Sequence, residues 1–327
     1  MLSTNEVPKY LQIVNALEKS IVSKTKSYGQ KLPSVNKCCL QYQVSRDTVL
    51  QAYDTLKKRG IVQSVAGKGY FIKSYQVETQ KRIFVLFDEF NAFKQDLYLS
   101  LIEHLGKQVF VDVYFHHFNP KVFKALIEEA NGNYSHYVIM PSNLKYAPEA
   151  ISNLNKNEVY LLDQTRPIWN KYASVHQDFE KDIYLSLLKV QELLTKYKKL
   201  YLIFPGEKEP TGMVKGFEKF AKTKTISCEV VASFSEIILQ KGCAFIVVKD
   251  DDLVELIETA HLKKFQLKKE YGIISYNDTS LKKIVEKGIT TISTNFKKMG
   301  ETMAHMILQQ QNIQIHNPCD IIIRESL

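Results

Sequence analysis

From Ile83 onward, short and mostly apolar runs recur between stretches of helical periodicity, and this alternation constrains the fold more than any other feature. The runs are Ile83 to Phe87, Phe110 to Phe115, Tyr137 to Met140, Val159 to Leu162, Leu200 to Phe204, a segment near 226–231, Ala244 to Val248, Gly272 to Ser275 and Thr291 to Ser293. Helical stretches lie between the early runs, at 93–106, 120–131, 147–154, 178–196 and 212–222. A strand covered on both faces reads as a continuous apolar run, and an intervening helix is the usual crossover between parallel strands. The expected class is therefore α/β, with doubly wound, mostly parallel sheets. The 245 residues from 83 to 327 are long for one set of layers, so two lobes with a cleft between them are expected. Ligands of such folds bind beyond the carboxyl ends of the strands.

The first 75 residues follow other periods. Tyr10, Ile13, Val14, Leu17 and Ile21 make one apolar stripe on a helix over 8–22. Ser34 can cap a second helix and Ser45 a third. Val49, Ala52, Tyr53 and Leu56 form the buried stripe of the third, which leaves Arg46, Asp47, Leu50 and Gln51 facing outward near its start. After Gly60 the period becomes two. Ile61 to Val65 and Tyr70 to Ile72 flank Ala66-Gly67-Lys68-Gly69, a hairpin signal. Three helices and a basic-tipped hairpin make a winged helix-turn-helix. Its third helix can enter a DNA major groove, and Lys68 can reach a phosphate. Residues 1–75 form this domain, 76–82 a polar linker, and 83–327 the large domain.

Charge supports that division. The chain carries a net +9, and residues 1–75 hold 12 Lys and Arg against 4 Asp and Glu, whereas the remainder holds 32 against 31. Excess positive charge confined to one quarter of a chain is a footprint for a polyanion. The five cysteines (Cys38, Cys39, Cys228, Cys243 and Cys319) are scattered and odd in number, which argues against a disulfide framework. With no signal-peptide layout and no apolar stretch of bilayer length, the expected location is the cytoplasm.

The segment LPSVNKCCLQYQVSRDTVLQAYDTLKKRGIVQSVAGKGYFI resembles the GntR-family DNA-binding domain in three motifs: LPS before the second helix, VSRDTV opening the third, and GKGYFI closing the wing. The resemblance implies DNA contacts from Ser34, Ser45, Arg46, Thr48, Gly67 and Lys68. Many members have Arg where Asn36 and Leu50 stand here, which shifts weight to Arg46, Gln43, Gln51 and the wing.

Polar residues follow several strands of the large domain: Asp88, Asp163, Lys249 with Asp250, and Asn277 with Asp278. Arg166 and the single tryptophan, Trp169, follow closely after Asp163. Carboxylates, an amide, a cation and an aromatic face suit a polyhydroxylated ligand. The stretches EVYLLDQTRP, GMVKGFEKF, GIISYNDTSL and GITTISTNF resemble the effector domain of LacI/GalR-type repressors, itself similar to periplasmic sugar-binding proteins. The resemblance implies ligand contacts from Asp163, Asn277, Lys249 and Phe296. Met213 stands where many members carry a ligand-binding Arg, and Arg166 is the candidate replacement.

His116 and His117 are adjacent on a strand end and point to opposite faces, so they do not form a metal pair. HExxH, GxSxG and a complete phosphate loop are absent, so neither an enzyme nor a cofactor is expected. The expected protein is a homodimeric regulator, a repressor relieved by its effector. Its partners are a double-stranded DNA operator and a small-molecule effector, a monosaccharide such as a pentose or deoxyhexose bound between the lobes, with no membrane involved. Two other readings are a fusion to an aminotransferase-like domain that binds pyridoxal phosphate, for which 83–327 is short, and a large domain that only dimerises.

Overall fold

The computed structural model describes residues 8–22, 28–73, 81–206 and 208–327. Three helices open the chain: α1 (Lys9–Val22), α2 (Val35–Tyr42) and α3 (Arg46–Lys58). The Ser34 hydroxyl caps α2 by accepting from the Lys37 amide, and Ser45 caps α3 by accepting from that of Thr48. Gln43 leaves α2 in the left-handed region at φ 52, which turns the chain sharply into α3. An antiparallel hairpin follows, β1 (Val62–Val65) with β2 (Gly69–Ile72). Ile13, Leu17, Val49, Tyr53, Leu56 and Ile72 are buried together in one small core. The Tyr53 hydroxyl donates to the Pro33 carbonyl at 2.6 Å, which fixes the loop ahead of α2.

The expected linker at 76–82 falls outside the described residues except for its last two. Of these, Arg82 already belongs to a strand. The first lobe has a six-stranded, wholly parallel sheet. Its members are β3 (Arg82–Phe87), β4 (Phe110–Phe115), β5 (His136–Ile139), β6 (Val159–Asp163), β7 (Ala173–His176) and β13 (Gln314–His316). Their spatial order is β13-β7-β6-β5-β3-β4. The helices α4 (Ala92–Leu105), α5 (Pro120–Ala130) and α6 (Ala147–Ser152) connect them.

The second lobe repeats the plan with β8 (Lys199–Ile203), β9 (Ser227–Val231), β10 (Cys243–Val247), β11 (Tyr271–Tyr276), β12 (Thr290–Thr294) and β14 (Cys319–Ile322). The order is β14-β12-β11-β10-β8-β9, with only β14 antiparallel. Its helices are α7 (Phe179–Lys189), the short α8 (Gln191–Leu194), α9 (Gly212–Ala221) and α10 (Asp250–Leu262). The single helix expected at 178–196 is thus split at Val190. Among the described residues, no helix is long and apolar enough to cross a membrane.

Three crossings join the lobes: β7 to α7, β12 to α11 (Phe296–Leu308), and β13 to β14. Although α11 follows a second-lobe strand, Met299, Met303 and Ile307 pack with Leu97 and Leu101 of α4 in the first-lobe core. Close approach of helices depends on small residues in both lobes. A Cβ at Gly216 of α9 would run into the Glu180 carbonyl and the Ile183 methyl of α7. Gly216→Ala is therefore expected to cost about 1–3 kcal/mol by overpacking. Urea unfolding checks this, and an unchanged midpoint would show that α7 and α9 can part at no cost.

Candidate functional site

Two surfaces gather the expected residues. On the N-terminal domain, Ser34, Gln43, Ser45, Arg46, Gln51, Gly67 and Lys68 are exposed and Thr48 is partly so. Their local roles explain that display. Ser45 caps α3, and its hydroxyl lies 2.8 Å from that of Thr48. Arg46 Nη1 donates to Asn36 Oδ1 at 3.4 Å, so the first residue of α3 is tied to α2. Gly67, at φ 70, takes the positive backbone angle of the wing turn and leaves Lys68 at the tip. The free amides of the first turn of α3 and the Arg46 guanidinium share one end of that helix, an arrangement suited to a phosphate.

The second surface is the cleft between the lobes. Its inner end is a cavity of about 80 Å³ whose lining includes Asp88, Lys94, Asp163, Gln177, Asn277 and Phe296. Asp88 follows β3, Asp163 ends β6 and Asn277 follows β11, so carboxyl ends of strands from both lobes meet here. Asp163 and Asn277 hold φ 74 and 62, a left-handed backbone that Asp and Asn tolerate better than most residues. Phe296 stacks on Phe93 with centroids 4.8 Å apart and forms an apolar wall.

Asp88 is less available than its position implies. Its carboxylate pairs with buried Lys94 of α4 and also accepts from the Glu89 amide and the Ser142 hydroxyl. Asp163 is held by Gln177, whose Nε2 donates at 2.5 Å. Burial, aided by the Asp88 charge, pushes the Asp163 carboxyl up to about 6, against the opposing pull of Lys94 and Gln177. Burial also raises the Glu209 carboxyl, with Glu89 adding to the effect and Lys249 and Lys94 opposing it. Among the described residues that line the two chambers of the cleft, three buried oxygens have no hydrogen-bond partner: Gln177 Oε1, Asn277 Oδ1 and Thr165 Oγ1.

An outer chamber of about 540 Å³ shares Gln164, Gln177, Phe179 and Pro210 with the inner end. Arg166 lies here, donating to the Ser142 carbonyl at 2.8 Å and to Asn143 Oδ1 at 2.9 Å. Lys249 is exposed at the start of α10 and stands outside both linings, within electrostatic reach of Glu209. Trp169 requires a correction: it is 1% exposed and packs with Tyr172 in the first-lobe core, away from the cleft. Pro167 opens a single 3-10 turn after β6, and that turn carries Trp169 into the first-lobe core instead of the cleft mouth. Lys94, Gln177, Thr165 and Glu209 were not expected. They come from a helix start, a lobe crossing and irregular segments that no strand pattern marks.

Because Asp163 is raised from 3.8 toward 6 in the fold, its ionisation opposes folding. Stability from this group is full below about pH 4 and is lost as pH rises through 6. Asp163→Asn should therefore gain on the wild type between those limits, reaching about 3 kcal/mol above pH 7. Denaturation at pH 4, 6 and 8 checks this, and a gap independent of pH would remove the buried carboxylate from the argument.

Residues 9–72 match the profile of bacterial regulatory proteins of the gntR family. Among curated relatives, the uncharacterized regulator YhcF of Bacillus subtilis is 37% identical over 65 residues, 20% of this chain and 54% of that protein. The first curated relatives are covered over only 14% to 54% of their own lengths. Among solved structures, the trehalose repressor of Escherichia coli superposes with a TM-score of 0.64 at 14% identity, covering 74% of this chain and 100% of that one. A LacI family regulator from Enterococcus faecium with bound ribose gives 0.62 at 17% identity, covering 75% and 98%. The large domain has this two-lobed fold and not the aminotransferase-like one. The chain thus joins a gntR-type helix-turn-helix to a large domain with the fold of LacI-type regulators.

Proposed function

We propose that this protein is a transcriptional regulator that binds an operator through its N-terminal domain and a sugar in the interlobe cleft. The domain boundaries proposed are 1–75 and 83–327, joined by 76–82. The observation that carries the effector half is the set of buried cleft oxygens left without partners, Gln177 Oε1 and Asn277 Oδ1 in the inner cavity with the Asp163 carboxyl and Thr165 Oγ1 in the outer chamber. A buried acceptor without a donor costs about 1–3 kcal/mol, and a hydroxyl-rich ligand removes that cost. Asp88, Asp163, Asn277 and Phe296 are the proposed inner contacts, with Arg166 at the mouth and Lys249 at the rim. The inner cavity is smaller than the roughly 300 Å³ at which ligand pockets begin. Entry of a monosaccharide therefore requires the lobes to part, breaking contacts such as Asn143 Nδ2 to the Glu209 carbonyl at 3.5 Å.

The DNA half rests on Arg46 and the wing, with Ser34, Gln43, Ser45, Thr48, Gln51, Gly67 and Lys68 around them. The proposed assembly is a homodimer that sets two recognition helices about one helical turn apart. An exposed apolar face supports it: Val254 and Leu262 of α10 lie beside Leu281 and Ile284, and Lys282 to Asp250 and His261 to Glu286 hold the two segments together. A single-chain mass in sedimentation equilibrium would remove the dimer. Repression relieved by the sugar is the proposed direction, in the cytoplasm and without catalysis.

Thermal unfolding against a panel of pentoses, hexoses and deoxyhexoses tests the effector. A saturable rise in Tm with one compound is expected, and no rise with any would count against a sugar. For DNA, Arg46→Ala should weaken operator binding by about 1–3 kcal/mol, whereas Lys68→Ala should lower the salt slope by about one. Equal binding by wild type and both variants would move the DNA surface elsewhere.

A further inference from the structure

The end of the recognition helix that does not face DNA is fastened to the large domain. Arg59 closes α3, and its side chain is only 12% exposed. Its Nη1 donates to Glu18 of α1 at 2.8 Å, and its Nη2 donates to the Gly132 carbonyl of the first lobe at 3.1 Å. A guanidinium is well solvated on a free surface, so its burial here reflects the presence of both bodies. Gly132, at φ 79, faces Tyr10 of α1. A Cβ at that position would lie 2.5 Å from the Tyr10 hydroxyl and 3.3 Å from its ring.

The lobe also brings a carboxyl to this seat. Glu158, just before β6, accepts from Asn155 at 3.0 Å. Burial raises it to about 7, Arg59 and the Asn155 bond pull it down, and Glu18 pushes it up. A cavity of about 340 Å³ between the bodies is lined by Asn15, Lys58 and Gly60 on one side and by Phe110, Asn133 and Ser135 on the other. Neither cleft chamber includes any of these residues.

We propose that this face of the first lobe is a docking surface for the N-terminal domain, seated through Arg59, Tyr10 and Gly132, so that the two move as one body. Arg46 and the wing remain exposed in the docked state. The direction in which α3 presents them is then set by the orientation of the lobe. Lobe rotation turns the recognition helix directly, in addition to any pull through residues 74–80. The role in DNA control rests on the regulator reading, whereas the docking itself does not.

The test is backbone ¹⁵N relaxation on the full-length protein, without DNA or sugar. Amides of α1 to α3 should share the rotational correlation time of the large domain. Gly132→Leu, which fills the Tyr10 seat, and Arg59→Gln, which weakens the contact with the Gly132 carbonyl, should each shorten that of the N-terminal domain several-fold. Amide shifts of the two cores should stay in place, showing that both bodies remain folded. Independent tumbling in the wild type would overturn the proposal, and so would a domain that stays immobilised in both variants. A docked domain in a protein that binds neither DNA nor sugar would refute the regulator reading and leave the seat standing. Free tumbling in a protein that binds both would do the reverse.

Discussion

One buried amide holds the two-lobed architecture together. Asn317 is 1% exposed and lies where all three lobe crossings run side by side. Its backbone N–H donates to the His176 carbonyl at 2.7 Å. Its side-chain Nδ2 donates to Thr294 Oγ1 at 2.7 Å and to the Asn295 carbonyl at 3.0 Å. Peptide groups leaving three different strands would otherwise be desolvated with few partners at this point. A second tie lies close by, where His316 Nε2 meets Asp182 Oδ1 of α7 at 3.0 Å. The crossings are therefore where the two lobes are tied to each other, and any parting of the lobes is expected to swing about these ties and to be greatest at the cleft.

The cleft between the tied lobes holds groups that a packed apolar core would reject. The Asp163 carboxyl and the unpartnered oxygens of Gln177, Thr165 and Asn277 are each unfavourable to bury. They persist because the rest of both sheets is conventional. Strands such as β5, β10 and β11 are buried along their whole length, and each lobe has its own apolar core on either side. Lys94 pairs with Asp88 inside the cleft, which leaves Asp163 and the amides with more capacity to spare than Asp88. Unmet polar groups from both lobes that face one cavity are the usual condition of a binding site.

The parts of this fold that were legible in the sequence are those whose physics is local. Ile83 to Phe87 and Ala244 to Val248 read as buried parallel strands because both faces of each are covered. The hairpin read as a wing because Gly67 and Gly69 punctuate it. By contrast, β13 is three residues at a sheet edge with alternating exposure, and β14 is a four-residue antiparallel edge. The first has no apolar run to announce it, and the second has only the three isoleucines Ile321 to Ile323 close to the end of the sequence. The placement of α11 on the opposite lobe is a long-range fact that no periodicity carries. In the cleft, Asp163 and Asn277 were visible because they terminate strands, and Lys94 was not because it reaches the site from the first turn of a helix. Trp169 was misplaced because side-chain chemistry says what a residue can bind and not which side of the sheet it faces.

The DNA-facing end of the N-terminal domain shows how a departure from a family pattern can be absorbed by neighbouring side chains. Asn36 stands where an Arg is common, yet it is not idle, since its carbonyl oxygen accepts from Arg46. A second Arg at 36 would repel the guanidinium of Arg46, whereas the amide holds it at the mouth of α3. Leu50, at the other departure, is only partly buried and contributes apolar surface on the same side. The proposed reading face thus comprises one oriented cation on α3, an apolar patch and the exposed charge of Lys68 at the tip of the wing. With fewer base-reading cations, the angle at which that one helix is offered to the groove matters more, and that angle is fixed at the far end of α3 by the contact between Arg59 and Gly132.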